Sequence, residues 1–221
     1  MGRVTNKTST RWWSAKDIAF LKFHRFAKRT EIAKLMGRDH SGVCAKMRAL
    51  GIAKRKCDTV SLTLEQKQLI FGSLLGDGTI ARGNSDKNPR FSEGHSIKQK
   101  DYLLFKHKAL KPFSGKFIEY NTKWGGEVKF STCNHPEFMP FRKMFYNRAG
   151  KKIIKSSTLF KITHPLALAM WFGDDGNKEK YSCRLATGAY SVQELNNMIH
   201  WLKKIFRIRA YLHKHGKYYY L

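Results

Sequence analysis

The sequence predicts an α+β protein in which a small three-helix unit precedes a larger domain built from two copies of a helix, strand-pair, helix, strand-pair unit. Three observations predict it. Apolar residues recur at helical spacing three times between Trp12 and Ile52, and a basic, aperiodic stretch, Ala53 to Ser61, follows them. Beyond that stretch, an apolar helix that runs into an acid between glycines, "IFGSLLGDG", recurs as "LAMWFGDDG". The same order of elements can be read after each copy, as an internal duplication requires.

In the first unit, Ser14 is the expected N-cap of "AKDIAFLKFHRFA", where Ile18, Leu21 and Phe26 share a face near Trp13. Thr30 is expected to cap "EIAKLMG", and Gly37 to stop it. Asp39 is expected to cap "HSGVCAKMRALG", with Val43, Met47 and Leu50 inward and His40, Ser41, Lys46 and Arg48 outward. Trp13, "EIAKLMGR" and "VCAKMRALGI" together resemble a Myb-like or helix-turn-helix domain. The resemblance implies a third helix in the DNA major groove, His40, Ser41, Lys46 and Arg48 facing DNA, and Lys54 and Arg55 on the backbone. A helical cap that only packs on its neighbour is the alternative. The domain division falls at Cys57, giving 1–56 and 57–221.

In the larger unit, Thr63 opens "LEQKQLIFGSLLGDG", where Leu64, Leu69, Ile70, Leu74 and Leu75 form an apolar face and Gly72 permits close approach of another helix. The strands "TIARGN" and "RFSEGHSI", the helix "KQKDYLLFKHKAL" stopped by Pro112, the strands "KFIEYN" and "EVKFST" and the helix "HPEFMPFRKMFYN" complete the first half, about 62–150. The second half, 151–221, repeats the order: "PLALAMWFGDDG", strands around "SCRLATGAYS", helix "VQELNNMIHWLKKIF", strands "RAYLHKH" and "KYYYL". With the two motif helices side by side, Gly72, Gly76, Ala169 and Gly173 let the backbones meet and bring Asp77 and Asp175 together. Two carboxylates that close repel unless a divalent cation lies between them. Taken singly, each "DG" reads equally as a turn.

Composition restricts the partners. Apolar content of 42% and aromatic content of 13% exclude a mainly disordered chain. The 43 Lys plus Arg against 16 Asp plus Glu, net +27 in 221 residues, demand a polyanion. A membrane surface would call for one basic amphipathic helix, whereas basic residues run from Arg3 to Lys217, so nucleic acid is the expected partner. No leader-like or membrane-length apolar segment is present, and the expectation is a soluble, intracellular protein without membrane contact. Cys44, Cys57, Cys133 and Cys183 have neither finger-like nor framework spacing.

"LIFGSLLGDG" and "LALAMWFGDDG", with "SIKQKDYL" and "GKKIIK", resemble the two-motif, single-chain LAGLIDADG homing endonucleases from Leu62 onward. The resemblance implies a pseudo-two-fold saddle of two αββαββα units over a long double-stranded DNA site. It further implies a Mg²⁺- or Mn²⁺-dependent double-strand break by a monomer acting as a pseudo-dimer. It places Asp77 and Asp175 as metal-binding catalytic acids, with Gly76 and Asp174 beside them. Lys152 would polarise water or neutralise transition-state charge, and His95 and Lys98 would border the site. Arg82, Arg90, Lys129 and Arg184 would meet DNA from the strands. The second unit stops at Leu221, where the helix matching "HPEFMPFRKMFYN" would begin, so its last helix is expected to be missing. A non-cleaving nucleic-acid binder of the same fold, a maturase-like RNA cofactor or a DNA-binding regulator, is the alternative, and a purely structural basic protein is the second.

Overall fold

The computed structural model describes residues 12–52, 57, 60–82, 88–123, 125–216 and 218–221. The chain divides into two compact units, Met1–Val60 and Ser61–Leu221.

The first unit holds helices α1 (Ala15–Phe23), α2 (Arg29–Met36) and α3 (His40–Ala49). Ser14 and Asp17 cap α1 reciprocally, each side chain accepting the other's N–H at 3.1 and 3.0 Å, which satisfies two otherwise orphaned donors. Asp39 caps α3 by accepting the Gly42 N–H at 2.6 Å, and Gly37 ends α2 with φ at 58°, where a side chain would be strained. Two expectations need correction. The N-cap of α2 is Lys28, and Thr30 lies inside the first turn. Phe26 lies beyond the end of α1 and is 38% exposed, because the helix stops at Phe23 and the turn carries Phe26 off its face. Leu21, Ile32, Ala33, Val43, Met47 and Ile52 form the core, with Trp13 and Phe20 packed against it. The Arg38 guanidinium lies 3.9 Å from the Trp13 ring centre and 3.0 Å from Asp17.

The second unit begins with α4 (Leu64–Leu75), capped by a Thr63–Gln66 box. β1 (Thr79–Ala81), β2 (Arg90–Ser96), α5 (Lys100–Ala109), β3 (Ser114–Thr122), β4 (Gly125–Thr132) and α6 (Met139–Phe145) follow, as the sequence predicts. The strands form one antiparallel sheet in the order β1-β2-β4-β3. Its register places Gly94 opposite Lys129 and Phe91 opposite Ile80. Side chains alternate across a sheet, so Phe91, Glu93, His95, Val128 and Phe130 share the buried face while Arg90, Ser92 and Lys129 share the open one.

A short helix that the sequence pattern did not show, α7 (Ser156–Leu159), leads into α8 (Pro165–Asp175). β5 (Gly176–Lys178) then pairs with β6 (Cys183–Leu185), and after α9 (Val192–Trp201) β7 (His213–His215) pairs with β8 (Tyr218–Tyr220). The strand predicted over "RAYLHKH" shrinks to its last three residues. The two pairs touch where the Leu185 N–H donates to Leu221 O at 2.6 Å and Thr187 Oγ1 donates to Tyr219 O at 3.4 Å. The second half therefore keeps the strand order of the first with shorter strands and interrupted pairing.

α4 and α8 lie side by side. The pro-side-chain direction of Gly72 points into the backbone of Ala167. Gln68, almost fully buried, donates to Lys161 O at 3.1 Å and accepts from the N–H groups of Thr163 and His164, so the turn into α8 is held by an α4 side chain. Phe71 packs on Phe141 and Phe145 from α6, and Trp171 on Trp201 from α9. Leu64, assigned to the apolar face, is 68% exposed because it stands in the first turn of α4.

Because a methyl group at residue 72 would overlap the Ala167 carbonyl, Gly72→Ala should destabilise the protein by about 1–3 kcal/mol despite the better helix propensity of alanine. Urea denaturation checks this, and a stabilised variant would show that α4 and α8 are not in backbone contact.

Candidate active site

The ends of α4 and α8 converge. Gly76 terminates α4 and Asp77 follows it, while Asp174 and Asp175 close α8. A side chain at Gly76 would meet the Asp174 side chain, so glycine is what admits that carboxylate. Asp174 Oδ2 accepts the Asp77 backbone N–H at 3.3 Å. The acid of the second repeat thus holds the loop that presents the acid of the first.

His95 reaches the same place from the buried face of β2. Its Nδ1 lies 3.5 Å from Asp77 Oδ2, and its Nε2 lies 2.8 Å from Glu93 Oε1 and 3.7 Å from Asp174 Oδ1. Gln99 donates to Gly173 O at 3.4 Å, which aims its oxygen at His95 Nδ1, 3.2 Å away. Asp77, His95 and Asp174 each bring one ligand-type atom within 4.8 Å of the others. Beneath them lies Lys106, fully buried, at 2.5 Å from Glu93 Oε1 and 2.6 Å from Asp174 Oδ1. Tyr102 Oη donates to Asp174 Oδ1 at 2.8 Å.

The electrostatics follow from this crowding. Burial pushes the Asp175 carboxyl up to about 6, and the negative charge of Asp77 adds to the rise. Burial and then the charge of Glu93 push Asp174 up to about 7, against the pull of Lys106 and Tyr102. Burial also opposes the charge on Glu93, but hydrogen bonds from His95 and Lys106 and the charge of Lys106 outweigh it and hold the group low. His95 is raised because Glu93 and Asp174 together outweigh its burial.

Lys152 is aligned by the antiparallel bridge between Tyr146 and Lys152. Its Nζ donates to Gly76 O and Gly78 O, both at 2.9 Å, gripping the backbone on either side of Asp77. Burial lowers its pKa, against the pull of Asp175, Asp77 and Asp174. Gly76 therefore has its carbonyl engaged by Lys152.

Not every sequence candidate reaches this cluster. Lys98 lies exposed on the turn before α5 and makes no ion pair with any described residue. Lys54 and Arg55 lie outside the described residues. Arg90 and Lys129 stand on the open sheet face, Lys129 at 5.5 Å from the Tyr120 ring centre, and Arg82 is exposed just past β1. Arg184 pairs with Glu179 at 3.1 Å. On α3, His40, Ser41 and Arg48 are exposed and Lys46 is half-buried.

Glu93, Tyr102 and Lys106 went unnoticed in the sequence, although a signal existed. Lys106 falls on the helical face of Leu103 and Leu110, and Glu93 alternates with Phe91 and His95 on the inward side of its strand. Charges at core positions of two elements mark a buried ion pair.

Residues 67–221 match the LAGLIDADG DNA endonuclease family. The cytochrome b mRNA maturase bI2 of Debaryomyces hansenii is 29% identical over 164 residues, 70% of this chain and 62% of that protein. The DNA endonuclease I-ChuI of Chlamydomonas applanata is 35% identical over 130 residues, 53% of this chain and 60% of that protein. Protein RecA of Mycobacterium shimoidei is 38% identical over 117 residues, 52% of this chain and 27% of that protein. The chain thus spans less than two thirds of the length of each of these curated relatives. Among solved structures, the homing endonuclease I-WcaI bound to its DNA recognition sequence shares the fold, with a TM-score of 0.65 and 21% identity over 75% of this chain and 79% of that one.

An acid whose folded pKa stands above its unfolded value holds its proton in the fold after the unfolded chain has lost it, so stability falls as pH rises from the ordinary aspartate range to about 6, and the full cost is present above about 6 and absent below about pH 4. Asp175→Asn should therefore raise the Tm of the metal-free protein at neutral pH, with the gain fading toward about pH 4. Thermal denaturation across that range checks it. A variant no more stable than wild type at neutral pH overturns burial and repulsion as the cause.

Proposed function

The chain belongs to the LAGLIDADG DNA endonuclease family, and we propose that it is a site-specific homing endonuclease that makes metal-dependent double-strand breaks at a long DNA site. One observation carries the reading: the two repeats bring Asp77 and the Asp174–Asp175 pair to a single point at the α4–α8 seam. Such a meeting of the half-buried Asp174 and Asp175 with the exposed Asp77 costs stability and has no packing purpose.

Asp77 and Asp175 would hold a divalent cation. The donor chemistry fits: carboxylate oxygens suit Mg²⁺ or Mn²⁺, and Mg²⁺ is bound by one or two carboxylates together with water and substrate phosphate. Burial and then the charge of Asp77 raise Asp175, and that is the strain such a charge relieves. A cation bound there supplies Lewis acidity to water and to the leaving oxygen. Asp174 acts through its brace on the Asp77 N–H, since Lys106 and Tyr102 already engage its other oxygen. Lys152 fixes the turn around Asp77 through Gly76 O and Gly78 O and adds positive charge where a phosphate must enter. His95, held by Glu93 and Gln99, orients groups beside Asp77.

The open sheet face supports binding of double-stranded DNA, with Arg90 and Lys129 on adjacent strands and Arg82 at the edge. The first unit adds a helix-turn-helix module whose α3 offers His40, Ser41 and Arg48, with Lys46 half-buried behind them. Both acids come from one chain, so a monomer supplies what a symmetric dimer would. No described helix is long and apolar enough to cross a membrane.

The likeness to a cytochrome b mRNA maturase over 70% of the chain favours a second reading, an intron RNA cofactor on the same scaffold. Titrating Mg²⁺ and Mn²⁺ against a randomised duplex library and against structured RNA separates the two. The endonuclease selects and cuts one duplex sequence; the cofactor binds RNA and leaves every duplex intact. On the selected duplex, Asp77→Asn and Asp175→Asn should each slow double-strand cleavage on the order of 100-fold or more while binding persists, as expected when charge aimed at the transition state is lost. Loss of binding alongside cleavage counts against the metal role.

A further inference from the structure

The side-chain atoms that face the two nitrogens of His95 are all acceptors. Nε2 lies 2.8 Å from Glu93 Oε1. Against its burial, Glu93 is held ionised by hydrogen bonds from His95 and Lys106, so it takes the Nε2 proton as a donor. On the other side, Nδ1 lies 3.2 Å from Gln99 Oε1 and 3.5 Å from Asp77 Oδ2. Gln99 has no N–H to offer there, because its Nε2 donates to Gly173 O. A neutral ring with its proton on Nε2 therefore turns a lone pair toward two oxygens, and positive charge among the three atoms is what resolves the clash.

A proton on Nδ1 and a metal ion both supply such charge, and the geometry favours the metal. A proton there reaches Gln99 but not Asp77, since 3.5 Å is too long for an N–H···O bond. Two ligand atoms bonded at about 2.1 Å to one ion stand about 3.0–3.4 Å apart at octahedral or tetrahedral angles, close to the separation of Nδ1 from Oδ2. The far side of the ring has the support that a metal-binding histidine takes, an N–H on a carboxylate that is itself fixed, here by Lys106. His95 is buried while the Asp77 side chain is 47% exposed, so the point is open to solvent on the Asp77 side alone. Asp174 is not available as the partner ligand: Lys106 and Tyr102 engage its Oδ1, and the Asp77 N–H engages its Oδ2.

We infer that His95 Nδ1 is a direct ligand of the cation held at Asp77, with Gln99 Oε1 beside it, and that this nitrogen makes the site prefer Mn²⁺ to Mg²⁺. The inference rests on the metal-dependent reading above and adds a third protein ligand to the ion shared by Asp77 and Asp175. Mg²⁺ is bound through oxygen, whereas divalent first-row transition ions accept imidazole as well. The ion takes the place of any proton on Nδ1, which passes to solvent.

The test titrates Mn²⁺ into the full chain, alone and with the duplex selected above, and reads it by pulsed EPR, in which a nitrogen bonded to the ion modulates the echo. Wild type should show imidazole nitrogen modulation that changes frequency when histidine carries ¹⁵N, and competition should show Mn²⁺ held more tightly than Mg²⁺. His95→Gln sets an amide N–H on Glu93 in place of Nε2 and leaves nothing at Nδ1. It should abolish the modulation and lower Mn²⁺ affinity by about 10–100-fold, with a smaller change for Mg²⁺. His95→Asn, which puts an amide oxygen near the place of Nδ1, should recover part of the affinity without the nitrogen signal, and circular dichroism checks that both variants fold. Mn²⁺ that binds, and is weakened by Asp77→Asn, yet shows no nitrogen modulation overturns the inference while the endonuclease reading stands. Modulation that survives His95→Gln does the same. A wild-type chain that holds no Mn²⁺, with or without the duplex, overturns both.

Discussion

The rest of the larger unit depends on the approach of α4 to α8. Gly72 faces the Ala167 backbone with no room for a methyl group, and at this separation the two helix ends cannot avoid sharing a small volume. Asp77, Asp174 and Asp175 occupy it. Gln68 ties the start of α8 to α4 through three hydrogen bonds, and Tyr190 Oη donates to Leu75 O at 2.7 Å near the acidic end. The seam is therefore held polar-to-backbone at both ends and by van der Waals contact between them.

Gathering acids there demands compensation, and the two repeats solve this differently. In the first, Lys106 and His95 stand against Glu93 and Asp174, and the mutual hydrogen bonds make the burial tolerable. In the second, the corresponding positions are apolar or weakly polar, and Asp175 keeps a raised pKa under burial and the charge of Asp77. Lys152 adds positive charge between the two, fixed by carbonyls of the first motif loop.

The sheet separates the two kinds of work by alternation. On β2 the inward residues Glu93 and His95 enter the buried network, while Arg90 and Ser92 on the same strand face outward. A register slip of one residue would exchange these sets, which the burial of Phe91 and Phe130 prevents. In the second half, strands of three residues in separate pairs keep the order but expose more of their side chains.

Much of this was legible in the chain itself. Ser14, Thr63, Asp39 and Gly37 mark helix ends by local chemistry that needs no partner, and the repeated apolar-helix-plus-acid motif announced the duplication and the family. Local rules failed at two places in the first unit: α2 is capped at Lys28, without a side-chain hydrogen bond, instead of at Thr30, and Phe26 lies past the end of α1, off the face its spacing assigned. The site was read in part. Asp77, Asp174 and Asp175 were visible because they sit in the motif, and His95 because the family resemblance implies that its segment borders the site. Glu93, Tyr102 and Lys106 were not, since their meaning depends on which strand face and which helix face meet. The sequence by itself determined the elements, their duplication and the acids at the motif ends, because helix caps, periodicity and glycine act within a few residues. Only the tertiary structure decided that Asp174 braces Asp77, that Lys152 holds the Gly76 and Gly78 carbonyls and that Lys106 is buried beneath them. Those pairings join residues distant along the chain, and each exists only because burial removes the water that would otherwise solvate its charges.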